Sequence, residues 1–152
     1  MTDPPHDPLP APFHDLFGFR LLAWGAGHAT LEATARPEHR NRAGLVHGGV
    51  VLALIDQAAA YAGLWCPVPG HARRGMTLSL ATQFTAPVTA AGGASRLVAE
   101  AEMVSRGGST YFTRVVVRND AGTIVATGQG THRWRTGSER EDGMPVAALE
   151  GG

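Results

Sequence analysis

The chain predicts an α+β fold in which a curled antiparallel sheet surrounds one long central helix. Three observations lead there. Val50, Val51, Leu54, Ile55, Ala58 and Ala62 recur at helical spacing, and the alanines between them favour helix. This run is apolar nearly all round, as suits a helix enclosed by the rest of a domain. Two strand-like stretches precede it and four follow, joined by hairpin turns, a pattern of antiparallel pairing. At 152 residues the chain fits one sizeable core and would crowd two.

Taken in order, residues 1 to 12 hold Pro4, Pro5, Pro8, Pro10 and Pro12 and are expected to form an extended or disordered lead-in. A single domain then spans residues 13 to 135. Phe13 to Phe19 suits a short helix docking its aromatics on the core. Arg20 to Trp24 and His28 to Ala35 read as strands about Gly25-Ala26-Gly27, and Pro37 to Ala43 as a polar loop into the central helix. Cys66-Pro67-Val68-Pro69-Gly70 ends the helical stretch, and His71 to Gly75 is a basic loop. Met76, Leu78, Leu80 and Phe84 alternate with Thr77, Ser79 and Gln83, the period of a half-buried strand. Ala94 to Val104 and Ser109 to Arg118 flank Gly107-Gly108, and Thr123 to Trp134 is the last strand after an Asn119–Gly122 turn. Residues 136 to 152 are polar and Gly-rich, which predicts a mobile tail.

Composition excludes several classes. Thirteen basic side chains balance thirteen acidic ones, leaving no electrostatic footprint for nucleic acid. The acidic, proline-broken N-terminus lacks the basic and apolar regions of a secretion signal, and the central helix is too short and too interrupted to span a membrane. Cys66 stands alone, which excludes an internal disulfide and fits a reducing compartment, the cytoplasm by default. His28, His39, His71 and His132 lack metal-ligand spacing, so no metal is expected, and no other cofactor. No Gly-x-Ser-x-Gly elbow points to an α/β-hydrolase.

The chemistry concentrates around the helix start. His47 is followed by Gly48 and Gly49, so a ligand can approach backbone N–H groups at the positive end of the helix dipole. Asp56 is a carboxylate inside an apolar run. It suits a base or nucleophile, or equally a polar residue at a helix seam. Gly48 and Asp56 lie eight positions apart, about 12 Å along one helix. One carbonyl cannot be polarised by the first and attacked with help from the second. If both act on one substrate, Asp56 comes from a second copy across a two-fold axis, giving two equivalent composite sites in a homodimer.

The order Asn41, Gly44-Leu45-Val46-His47-Gly48-Gly49, Asp56, followed by the strand Met76 to Phe84 and Thr85-Ala86-Pro87-Val88, resembles the hotdog-fold acyl-CoA thioesterases of the phenylacetyl-CoA type. The resemblance covers roughly residues 13 to 135. It implies a hotdog fold, an acyl-CoA substrate, and a homodimer whose pairs often form a homotetramer. It also implies that the Gly48 N–H polarises the thioester carbonyl and that Asp56 acts on water or attacks as a nucleophile. Asn41 matches the position that orients the water or the carboxylate, and Thr77 a hydroxyl position that holds the water, with Ser79 as the fallback. His47 either donates to the thioester or caps the loop.

For the CoA arm, Ser105-Arg106-Gly107-Gly108-Ser109 offers a cation, hydroxyls and backbone donors, with Gly49, Arg73 and Arg74 as further candidates. Ala58, Ala59 and Ala60 suggest room for a bulky acyl group. A non-catalytic acyl-CoA-binding or regulatory domain is the alternative reading, against which Asp56 argues. A dehydratase would show a different signature.

Overall fold

The structure, a computed structural model, describes residues 5–89 and 95–149. Helix α1 (Pro12–Phe17) precedes the hairpin β1 (Phe19–Gly25) and β2 (His28–Ala35). Helix α2 (Gly48–Ala62) follows, then β3 (His71–Ala72), β4 (Gly75–Phe84), β5 (Ser95–Gly107), β6 (Thr110–Asn119), β7 (Ile124–Trp134) and β8 (Met144–Pro145). Six strands make one antiparallel sheet in the order β1-β2-β5-β6-β7-β4, and β3 pairs with β8. This is the expected α+β architecture. Ala94, where the sequence begins the fourth strand, lies outside the described residues.

Sheet order positions the helix. β2 lies next to one edge and β4 at the other, so α2 crosses the sheet between them and contacts β2, β4, β5, β6 and β7. Leu54, Ile55, Ala58 and Ala59 are fully buried against a sheet face that includes Leu31, Leu97, Val115 and Val117. Full burial contributes about 1.5–3 kcal/mol for each large aliphatic side chain. Gly128 on β7 has to be glycine, because a Cβ there would lie 2.5 Å from Ile55 Cγ2. The helix therefore runs closer to β7 than any side chain would allow. At its far end the orphan carbonyls accept from aromatic donors. Tyr111 Oη donates to Ala60 O at 3.0 Å, Trp24 Nε1 to Tyr61 O at 2.8 Å and Trp134 Nε1 to Gly63 O at 2.7 Å.

Four expectations need correction. Residues 136–149 are not loose: β8 pairs with β3, Ser138 is fully buried, and the Asp142 carbonyl lies 2.7 Å from His71 Nδ1. Asp7, in the lead-in, accepts from Tyr61 Oη at 2.6 Å and ties that segment to α2. Ala58 and Ala59 face the core and leave no acyl space. The fourth concerns β4, which is not half-buried. Met76, Leu78 and Phe84 are 41%, 54% and 56% exposed on an unpaired sheet edge, the kind of edge that calls for cover.

Candidate active site

Two stretches of chain meet along the β4 edge. The loop before α2 is stitched to the segment after β4, with Val46 N–H donating to Val88 O at 2.9 Å and Leu45 bridged to Thr89. β4 thus runs back along the helix, with Phe84 beside Gly48 and Thr77 beside Asp56. Asp56 is partly buried, and Thr77 Oγ1 donates to its Oδ1 at 2.7 Å. Gln57 Nε2 lies 3.4 Å from Oδ2, and its own Oε1 is 2.8 Å from Nε2 of buried His14.

A register shift between Thr77 and Ser79 decides which hydroxyl reaches the carboxylate. Thr77 pairs with His132, which is fully buried under the helix, whereas Ser79 pairs with the next residue, Thr131. Cross-strand partners share a face and neighbours alternate, so Ser79 belongs to the outer face and is no substitute for Thr77.

At the other end, His47 is the N-cap of α2, and its Nδ1 accepts from Gly49 N–H at 2.8 Å. The ring proton is then on Nε2, an exposed donor. The Gly49 amide is thereby occupied, while the Gly48 N–H, first in the helix, has no intrahelical acceptor. Asn41 Oδ1 accepts from Ala43 N–H at 2.9 Å and Leu45 N–H at 3.1 Å. Its carbonyl shapes the turn, leaving the exposed amide nitrogen for any other duty.

The CoA candidates divide. Arg73 is buried, with Nε donating to Ser138 O at 2.8 Å, Nη1 to Trp65 O at 3.3 Å and Nη2 to Glu139 O at 3.4 Å, and its guanidinium lies 4.7 Å from the Trp134 ring centre. It holds the C-terminal segment and lines a small cavity of about 90 Å³ with Trp65, Met103 and Arg106. Arg74 Nη1 donates to Leu149 O at 3.1 Å. Arg106 lies over Trp134 at 4.4 Å and donates to Glu139 O at 2.9 Å, with 38% of its side chain exposed. Ser105, Arg106 and Gly107 close β5, and Gly108, at φ 58°, makes the turn to Ser109. Arg106, Tyr111, His132 and Thr77 form one row across four strands. Strand spacing puts the two ends of that row about 14 Å apart, with buried Tyr111 and His132 between them. Within one protomer, Arg106 and Asp56 do not share a cavity wall.

On the β4 side, a cleft of about 300 Å³ beside Met76 is lined by Ser109, Arg133 and Arg135. A larger hollow of about 480 Å³ on the outer sheet face contains Ser79, Phe112 and Arg114, but neither Asp56 nor Gly48. Of these groups His132, Arg133 on β7 and Arg135 just after it were not singled out from the sequence. The alternation of Gly128, Gly130, His132 and Trp134 on one strand face was the available signal. Among the described residues no acid, histidine and cysteine cluster could hold a metal, and no helix is long and apolar enough to cross a membrane.

A family model described as "Thioesterase superfamily" matches residues 43–126. An Archaeoglobus fulgidus protein, named provisionally as an esterase, is 30% identical over 117 residues, covering 77% of this chain and 71% of that one. The PaaI protein of the E. coli phenylacetic acid degradation operon superposes with a TM-score of 0.72 at 23% identity, over 84% of this chain and 87% of that one. A Streptococcus mutans protein, smu.793, solved bound to acetyl CoA, gives a TM-score of 0.65 at 20% identity, over 77% and 88%. At these identities the two structures show a common fold.

Proposed function

This chain belongs to the thioesterase superfamily, a hydrolase of hotdog fold, and from that premise we propose that it cleaves acyl-CoA thioesters in a site shared by two copies of the chain. The observation that carries this reading is the 2.7 Å bond from Thr77 to Asp56 on an open strand edge. It leaves a partly buried carboxylate oriented and reachable at the border of the protomer. Gly48 stands at the other end of the same edge, so a two-fold pairing along β4 brings the Gly48 of one copy towards the Asp56 of the other.

In the reaction, Asp56 takes a proton from water as the water oxygen attacks the thioester carbon. The carbonyl electrons move onto oxygen, where the Gly48 N–H of the second copy stabilises them. Collapse breaks the C–S bond, and the CoA thiolate recovers the proton from Asp56. In the nucleophilic variant the Asp56 carboxylate attacks first and expels the CoA thiolate. Water then opens the resulting anhydride to the free acid and the Asp56 carboxylate, and the released proton goes to the thiolate. A preorganised donor at the oxyanion typically contributes about 2.7–4 kcal/mol. Arg133 and Arg135, in the cleft next to Met76, supply cations for the CoA phosphates.

Asp56→Asn tests this proposal. The isosteric amide keeps an oxygen for the Thr77 hydroxyl, so melting temperature and oligomeric state should hold. Turnover on a panel of acyl-CoAs, read as free thiol, should fall by about 10²–10⁴. A folded variant with near-normal turnover would remove Asp56 from the chemistry. Label in the Asp56 carboxylate after a single turnover in ¹⁸O-water identifies the anhydride route opened at the Asp56 carbonyl, since a general base gains no solvent oxygen.

A further inference from the structure

The acidic oxygen that meets Thr77 is the end of a longer chain of hydrogen bonds. Thr77 Oγ1 lies 2.7 Å from Asp56 Oδ1 and 3.3 Å from His132 Nδ1, and His132 Nε2 lies 3.1 Å from Thr113 Oγ1. A hydroxyl has one proton, and an ionised carboxylate only accepts. The Thr77 proton therefore goes to Asp56, so towards His132 the hydroxyl oxygen can only accept. Nδ1 must then carry the ring proton. In a neutral imidazole Nε2 becomes the acceptor, and Thr113 donates to it in preference to Gly130 O at 3.4 Å. Every bond in the chain points the same way, from Thr113 through His132 and Thr77 to Asp56.

The ring is held for this task. His132 is fully buried and stacks on Tyr111 at 4.9 Å with 19° between the planes. Tyr111 is in turn anchored to the helix carbonyl of Ala60. Gly130 leaves the ring its space, since a Cβ there would stand 2.4 Å from His132 Nε2.

We propose that His132 is a positioning residue for Asp56. It fixes the direction of the Thr77 hydroxyl, so that Oδ1 is held by the 2.7 Å bond while Oδ2, with the longer 3.4 Å contact to Gln57 Nε2, is the oxygen for chemistry. The inference rests on the thioesterase reading for its catalytic consequence, though not for its geometry. Among the described residues, Asp56 from α2 and Tyr111 from β6 are the titratable groups that face the ring. Burial lowers the pKa of His132 and the Asp56 charge opposes that to a lesser degree, consistent with a neutral ring.

The test begins with the unmodified protein. Nitrogen-15 NMR of the ring at neutral pH should show Nδ1 protonated and Nε2 bare; the opposite tautomer, or a doubly protonated ring, would overturn the proposal. Next, the Asp56 carboxyl is titrated by ¹³C NMR in three proteins. His132→Phe keeps a ring against Tyr111 but removes the donor, so the Asp56 pKa should rise. His132→Asn offers an amide N–H near the Nδ1 position and should bring it back down. Unchanged titration in the Phe variant sinks the idea, and the tautomer measurement decides if that variant fails to fold. In turnover, losing the bond between the neutral ring and the Thr77 hydroxyl predicts a kcat about twofold to tenfold lower with KM little changed. The Asn variant should recover part of the loss, and His132→Phe should add nothing in a Thr77→Val background. A merely structural role would lower both variants' melting temperatures without moving the Asp56 titration. If the unmodified protein hydrolyses no acyl-CoA, the functional reading falls, while the NMR measurements still decide the role of His132.

Discussion

A Cβ on Gly48 would stand 3.4 Å from the Phe84 ring, so the aromatic at the end of β4 seats against the first residue of α2. That distance is ordinary contact, not a clash. Gly48 is N1 of the helix, and His47 before it is extended at φ −63°, ψ 134°. Proline is tolerated at N1, where the N–H has no helical partner, and an extended residue ahead of it meets proline's requirement. Gly48→Pro therefore removes the proposed oxyanion donor and little else. The melting temperature should change by no more than a few degrees, while kcat falls by about 10²–10³. Full activity in the folded variant would show that this N–H takes no part.

The arginines should separate into structural and substrate-facing groups. Arg73 donates to three carbonyls beneath Trp134, and Arg73→Ala leaves those acceptors without a charged donor. A loss of at least about 2 kcal/mol in urea unfolding is expected, with KM unaltered in the protein that remains folded. Arg133→Ala and Arg135→Ala remove exposed cations from the cleft by Met76. They should raise KM for a CoA ester and leave KM for the matching N-acetylcysteamine ester alone, because that ester has no phosphates. Equal effects on both esters would place these arginines on the acyl side.

What the sequence could and could not reveal follows from range. The face of α2 was legible because helical periodicity is local, and every residue named for it is buried. Asp56 stood out because a carboxylate in an apolar run is uncommon. Thr77 was reachable by resemblance, yet its partner His132 lies 55 positions away, and on β7 alone it reads as one more core side chain. The bulge at Leu78 hides inside perfect apolar alternation, so Ser79 looked equivalent to Thr77 until register set them on opposite faces. Arg73, in a basic loop, reads as a candidate for the CoA phosphates. Its acceptors come from Ser138 and Glu139, 65 and 66 positions on, in a segment with no periodicity to announce that it folds back.

Stability should fall towards both acid and alkali. Burial lowers the pKa of His132, and burial followed by Arg36 lowers that of His39. Both groups bind protons more readily when unfolded, so their contribution is full above about pH 6.5 and is lost as pH falls through that value towards the folded pKa. Burial raises the pKa of Tyr111, and burial followed by Asp7 raises that of Tyr61. The unfolded phenols ionise near pH 10 while the folded ones resist, so stability also declines above that point. Melting temperature against pH should show a plateau between these limits. Asp7→Asn should weaken the alkaline decline, since it removes one cause of the Tyr61 shift. A flat profile from pH 5 to 7 would mean that the buried histidines titrate alike folded and unfolded.

The composite site makes its own prediction, in which two inactive variants restore each other. Gly48→Pro lacks the donor and keeps Asp56; Asp56→Asn lacks the carboxylate and keeps the Gly48 N–H. In a dimer of one chain of each kind, the site that joins Gly48 of the second variant to Asp56 of the first is intact, and the other site carries both defects. Random exchange at equal concentration puts half the chains in mixed dimers with one good site of two, so about a quarter of normal activity should return. A site built within one chain would return none, because each chain then carries one lesion in its own site. Leu78→Lys supplies the control: a charge at this exposed position on the β4 edge should separate the protomers in light scattering and abolish the rescue. A fully active Leu78→Lys monomer would end the two-copy mechanism whatever the mixing experiment gave.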